Sequence, residues 1–131
     1  MSLLTKLPWK EIGIWTLSSV LAVFFLAAGG LKLQGGAKQV ENFAHWGYAL
    51  WFLYGIGAVE TVGGIGLLVP RLAAYAALLL GGTMIGASLT HLVHNEMKAV
   101  PVPLVILGLL AVVGYVRRGP IVALYEKWLD S

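Results

Sequence analysis

The chain has 131 residues, of which 59% are hydrophobic and 17 are glycine, while only 11% are charged. Soluble domains carry about 25% charged residues and need them to cover a surface that is large relative to so small a volume, so a water-soluble globular fold, a disordered chain and a coiled coil are excluded. The net charge of +3 is too small and too scattered for nucleic-acid binding, and the absence of cysteine excludes disulfides, thiol chemistry and cysteine-ligated zinc or iron–sulfur sites.

Four nearly charge-free stretches, about 12–32, 46–69, 72–92 and 99–117, each approach the ~20 residues that a helix needs to cross hydrocarbon. They predict an all-α integral membrane protein, an antiparallel four-helix bundle forming a single membrane domain over residues 1–131. The first span follows Glu11 and ends at Lys32. It is full length and has no Ala-x-Ala cleavage site, which reads as a retained helix rather than a signal peptide. The loop opens with Gly35-Gly36. Beyond it, Val40, Phe43, Ala44 and Trp46 recur at roughly helical spacing beside Lys38, Gln39, Glu41 and Asn42, the pattern of a short interfacial helix.

The second span carries one ionisable residue, Glu60. The very short Pro70-Arg71 turn makes the second and third spans antiparallel neighbours. The third ends at His91, and the fourth opens with Pro101 and Pro103 and closes at Arg117-Arg118. In the tail, Ile121, Leu124, Tyr125, Trp128 and Leu129 alternate with Glu126, Lys127 and Asp130, an amphipathic segment expected on the cytoplasmic face. All five prolines fall at or outside helix ends, where a missing N–H costs least. Trp9, Trp15, Trp46, Trp51, Tyr115 and Trp128 sit near predicted boundaries, as an aromatic belt requires.

Lys6, Lys10, Arg71, Arg117, Arg118 and Lys127 fall on one side of the four spans, and Lys32, Lys38 and Lys98 on the other. The excess predicts both termini in the cytoplasm, in a bacterial inner membrane. Small residues bring helix backbones together in lipid, where no hydrophobic effect does so. Ala73, Ala77 and Gly81 form one stripe on the third span and Gly82 and Gly86 another. Gly55, Gly57, Gly63, Gly64 and Gly66 lie on the second. A tight second–third pair is therefore expected at the centre, with Gly30, Gly63, Gly64, Ala77, Gly81, Gly82 and Gly86 as packing positions.

Glu60 lies about 16 Å along its helix from Arg71, near mid-membrane, where an acid costs about 2.5–3.5 kcal/mol. Its use is open among a structural partner, a proton or redox-linked role and a polar-headgroup site. Lys32 is either a snorkelling end residue or turned inward. An ideal layout puts it some 15 Å from Glu60 in depth, which its ~6 Å reach does not close unless the first span is broken near Gly29-Gly30 or sits deeper, so a direct salt bridge is not expected and a water-linked one stays open. His91 and His94, at i and i+3, are candidates for a cofactor such as a tetrapyrrole, with His45 and Glu96 near them through the loops; no metal site is expected, since such sites usually need three or more protein ligands. No phosphate loop, serine–histidine triad or carboxylate pair is present, which argues against a self-contained enzyme.

The run Ala28-Gly29-Gly30-Leu31-Lys32-Leu33, followed by Gly57-Ala58-Val59-Glu60-Thr61-Val62-Gly63-Gly64, resembles the DoxX and DoxX-like family of small four-helix membrane proteins. Its Gly-x-Lys and Glu-x-x-Gly-Gly motifs match Gly30, Lys32, Glu60, Gly63 and Gly64, with His91 a weaker match. The resemblance covers about Trp15 to Tyr115. It implies association with thiosulfate-oxidising, quinone-reducing complexes, with other redox enzymes, or with the assembly of membrane receptors, although fold does not fix activity. Three expectations follow: an accessory or anchoring subunit of a membrane redox or energy-converting complex; a quinone-linked oxidoreductase subunit with Glu60 and Lys32 handling protons; and an assembly factor or small-molecule or lipid carrier. Expected partners are the bilayer, other membrane subunits or further copies of the chain. Quinone or tetrapyrrole contact would come through a partner.

Overall fold

The computed structural model describes residues 8–131; Lys6, counted in the charge bias, lies outside them. Helix α1 spans Trp9–Leu33, α2 Ala37–His45, α3 Leu50–Leu67, α4 Ala73–Val93, α5 Pro101–Val116 and α6 Gly119–Leu129, with a 3₁₀ turn at Met97–Ala99 before α5. No strand occurs among the described residues. By length and composition α1, α3, α4 and the Met97–Val116 segment can each cross a membrane, and the chain is an integral membrane protein.

Two boundaries move from their expected places. Helix α1 starts at Trp9 rather than near Ile12, because Pro8 is tolerated at its N-cap and Glu11 in its first turn suits the positive end of the helix dipole. Helix α3 starts at Leu50 rather than Trp46, because Gly47 adopts φ +83° and Ala49 is extended, which breaks the helical path after α2.

One face of each span is buried. On α1 it is Ile14, Ser18, Ala22, Phe25 and Gly29, and on α3 it is Leu53, Gly57, Glu60, Gly64 and Leu67, both at the three- and four-residue intervals of a helical stripe. The tightest pairs are α1 with α3 and α4 with α5, and α3 meets α4 along a looser seam. The expected tight second–third pair is thus corrected. The Ala73–Ala77–Gly81 stripe serves α5 instead: a Cβ on Gly114 would sit 3.5 Å from Ala77, and one on Gly81 would sit 3.4 Å from Leu107.

The glycines divide by what surrounds them. A Cβ on Gly63 would meet Leu80 at 2.6 Å, one on Gly64 the Ala22 carbonyl at 3.2 Å, and one on Gly66 Ala76 at 3.0 Å, so these three positions are packed. A Cβ on Gly30, Gly82 or Gly86 would meet nothing within 4 Å. Those three are not packing contacts, because no neighbouring helix reaches into the space beside them.

At the end of the bundle near α6, Arg117 donates from both terminal nitrogens to Glu11, at 3.2 and 3.3 Å, with its guanidinium 5.5 Å from the Trp15 ring centre. This fork ties the first span to the last. Helix α6 buries none of its residues and exposes Leu124, Tyr125, Trp128 and Leu129, consistent with its amphipathic pattern.

Candidate functional site

Glu60 interrupts the buried stripe of α3, and Lys32 follows Gly29 by three residues, continuing the buried stripe of α1. The two side chains meet: Lys32 Nζ lies 2.8 Å from Glu60 Oε1, with the carboxylate side chain 3% exposed and the lysine 16%. The expectation of no direct salt bridge is therefore corrected. Its error lay in assuming that all spans begin at one depth. A Cβ on Gly29 would approach the Gly57 carbonyl to 2.7 Å and the Thr61 nitrogen to 2.8 Å, and the Lys32 Cβ is 2.9 Å from the place a Gly57 Cβ would take. Backbone contact thus sets α1 so that Lys32 is level with Gly57. That leaves three residues, about 4.5 Å, between Lys32 and Glu60, within lysine's reach. The contact uses one carboxylate oxygen and one of three ammonium protons, so both groups keep hydrogen-bonding capacity.

The pair forms the inner end of a cleft of about 500 Å³ between α3 and α4. Helix α3 contributes Phe52, Ile56, Val59 and Glu60, and α4 contributes Leu79, Gly82, Thr83, Gly86, Ala87 and Thr90 at helical spacing. The stripe read as a packing surface at Gly82 and Gly86 is the cleft wall. Helix α2 and the segment after it close the far end with an aromatic cluster, in which Phe43 stands 5.5 Å from Trp46, 5.9 Å from Tyr48 and 6.2 Å from Phe52 by ring centres.

Two hydrogen bonds hold this cover to α4 and the loop beyond it, and a third braces that loop on α4. The Tyr48 and Thr90 hydroxyls lie 2.6 Å apart, Trp46 Nε1 donates to Glu96 at 3.1 Å, and His91 Nδ1 lies 2.8 Å from the same Glu96 oxygen. The His91 contact, above all, holds the Glu96 carboxyl below the ordinary value of 4.5, with burial opposing and Trp46 assisting. His45 does come near the pair, its ring 6.2 Å from His94. The two candidate cofactor histidines nevertheless diverge: His91 lines the cleft, whereas His94 turns its Nδ1 to the Thr90 carbonyl at 2.8 Å. Among the described residues no group of three or more His, Asp or Glu side chains is placed to hold a metal.

Sequence reasoning identified Glu60, Lys32 and His91 but passed over Tyr48, Thr83, Thr90 and the close contact at Gly29. The recurrence of small and hydroxyl residues at 82, 83, 86, 87 and 90 was the available signal for the α4 wall.

A family model described as the DoxX-like family matches residues 16–113. An uncharacterized protein, YdgD of Bacillus subtilis (strain 168), is 40% identical over 58 residues, which are 44% of this chain and 51% of the relative. The chain thus matches over about half the length of that relative. No solved structure matches.

Proposed function

We propose that this chain, which belongs to the DoxX-like family, binds a quinone-type headgroup in the cleft between α3 and α4 as a subunit of a larger membrane redox complex. The carrying observation is the buried Lys32–Glu60 pair at the end of a largely apolar, aromatic-lined cleft. The ammonium offers donors to a quinone carbonyl, and the carboxylate accepts from a quinol hydroxyl. Phe43, Phe52 and Tyr48 offer ring faces for a flat headgroup, and the volume lies within the usual range of small-molecule sites, about 300–1,000 Å³. Glu60 and Lys32 are the proton-handling residues in this reading, and His91 borders the same space.

Without cysteine the chain ligates no ordinary iron–sulfur cluster, so electrons come from a partner, as an accessory rather than self-contained enzyme requires. The lysine and arginine bias supports cytoplasmic termini, which in a bacterial inner membrane turns the α2 end of the cleft toward the outer surface and leaves the Lys32–Glu60 pair deeper.

Titration of the detergent-solubilised protein with a decyl-tailed benzoquinone, read by tryptophan quenching, tests the binding. Saturable quenching is expected in the wild type, weakened at least tenfold in Glu60→Gln and Lys32→Met. Equal affinity in all three overturns the headgroup assignment. Extraction in mild detergent followed by mass spectrometry tests the subunit role, which a partner-free monomer contradicts.

A further inference from the structure

The cleft has a closed end and an open side, and the difference between them bears on how a ligand arrives. Toward α2, the Tyr48–Thr90 and Trp46–Glu96 contacts hold an aromatic cover across the end of the cleft. Toward the flank of the bundle, the lining residues Leu79, Gly82 and Gly86 are exposed. Gly82 lies about 14 Å along α4 from Ala73, so its exposed face is in the hydrocarbon. Elsewhere on α4, the exposed surface is covered by large apolar side chains, with Leu78 68%, Ile85 50% and Leu89 54% exposed. Gly82 and Gly86, one turn apart with nothing within 4 Å of an added Cβ, are a gap in that cover. Behind the gap stands a carboxylate only 3% exposed, held by an ammonium. Burial of that pair in a wall open to lipid is the arrangement of a site that receives a polar head while its apolar remainder stays outside.

We propose that ligands enter this cleft sideways from the bilayer across the Gly82–Gly86 sill. The ligand class is then an amphiphile with a small polar head at Lys32–Glu60 and an apolar tail left in the lipid between α3 and α4. The inference deepens the headgroup-binding reading above and shares its site, but it concerns the route and the tail. Gly82 and Gly86 are specificity-determining positions: their missing side chains admit the tail.

The test uses a sixteen-carbon alcohol carrying a diazirine on the third carbon from its hydroxyl, photolysed in phosphatidylethanolamine–phosphatidylglycerol vesicles that contain the protein, with adducts mapped by mass spectrometry. In the wild type, adducts are expected on the lining residues Val59, Thr83 and Met84 as well as on the lipid-facing Leu78. The double variant Gly82→Leu/Gly86→Leu is expected to lose the lining adducts at least tenfold relative to Leu78. Gly108→Leu, at an exposed α5 glycine outside the cleft, is expected to change neither. Continued labelling of Leu78 shows that each variant is inserted, and an unchanged unfolding midpoint in mixed micelles shows that it is folded. Wild-type labelling confined to Leu78, or lining adducts unaffected by the double substitution, overturns the lateral route. The probe carries no quinone ring, so lining adducts combined with a failed quinone titration would discard the quinone headgroup and keep the entrance.

Discussion

Replacing Lys32 with methionine keeps the length and apolar stem of the side chain and removes its charge, leaving Glu60 without its partner. At 2.8 Å the attraction between the two charges is about 6 kcal/mol at an effective dielectric of 20. Stripping water from both ions costs several kcal/mol each, so the intact pair is close to neutral for stability. The single variant keeps the carboxylate's cost and loses the compensation, a deficit of about 3–5 kcal/mol. Its alternative is to take up a proton. From the ordinary glutamate value of 4.5 that costs about 1.4 kcal/mol per pH unit, or about 3.4 kcal/mol at pH 7. The two routes agree, and the second sets the pH dependence: the deficit is greatest at neutral pH and shrinks by about 1.4 kcal/mol for each unit of acidification. Unfolding in mixed micelles, followed by tryptophan fluorescence at pH 7 and pH 5, measures it. The double variant Lys32→Met/Glu60→Gln, with neither charge buried, is expected to recover most of the loss. A Lys32→Met protein within about 0.5 kcal/mol of wild type at both pH values, or a double variant no better than the single, refutes the reasoning.

Gly29→Ala is expected to cost about 1–3 kcal/mol, because the added Cβ meets the Gly57 carbonyl and Thr61 nitrogen, which are backbone atoms of the facing helix. Gly30→Ala, next to it but open, is expected to be neutral or to gain up to about 1 kcal/mol in helix propensity; the same micelle unfolding compares them, and equal effects contradict the assigned packing. Glu96 has a carboxyl depressed below 4.5 by its bond from His91. Its contribution to holding the aromatic cover is therefore complete above pH 4.5 and lost as pH falls through the depressed value. Amide protection across α2, taken relative to the intrinsic exchange rate at each pH, is expected to fall on such acidification in the wild type and to be lowered already at pH 6 in Glu96→Gln; acid-insensitive protection in the wild type excludes the latch. The Glu11–Arg117 fork, with Glu11 half exposed, is expected to yield a coupling of no more than about 1 kcal/mol in a double-mutant cycle, diminishing in 0.5 M salt. A larger, salt-independent coupling indicates a buried pair instead.

The spans were legible because hydropathy and charge are one-dimensional properties, read directly along the chain. Glu60 stood out for the same reason, as the sole ionisable residue in an apolar run. Its distance from Lys32 was not legible by counting residues from the membrane surface, since α1 and α3 are offset by the contact at Gly29 and Gly57. The stripe from Ile14 through Gly29 to Lys32 carried the facing direction, but not the depth. Gly63 and Gly82 look alike in sequence, although one is filled by Leu80 and the other borders empty space. Only the placement of neighbouring helices separates them. Tyr48 and Thr90 stand 42 residues apart, and no local pattern joins them.

The helix that carries the acid is also the least apolar of the four, with a mean hydropathy of 1.4 against 2.0, 1.6 and 2.4 for α1, α4 and the α5 segment. An acid near its middle raises the cost of transferring it into lipid by about 2.5–3.5 kcal/mol. The compensating cation lies in α1, which leaves the ribosome first and is available when α3 reaches the bilayer. Order of synthesis thereby becomes order of compensation, and the Gly29–Gly57 contact links the biogenesis of the second span to the first.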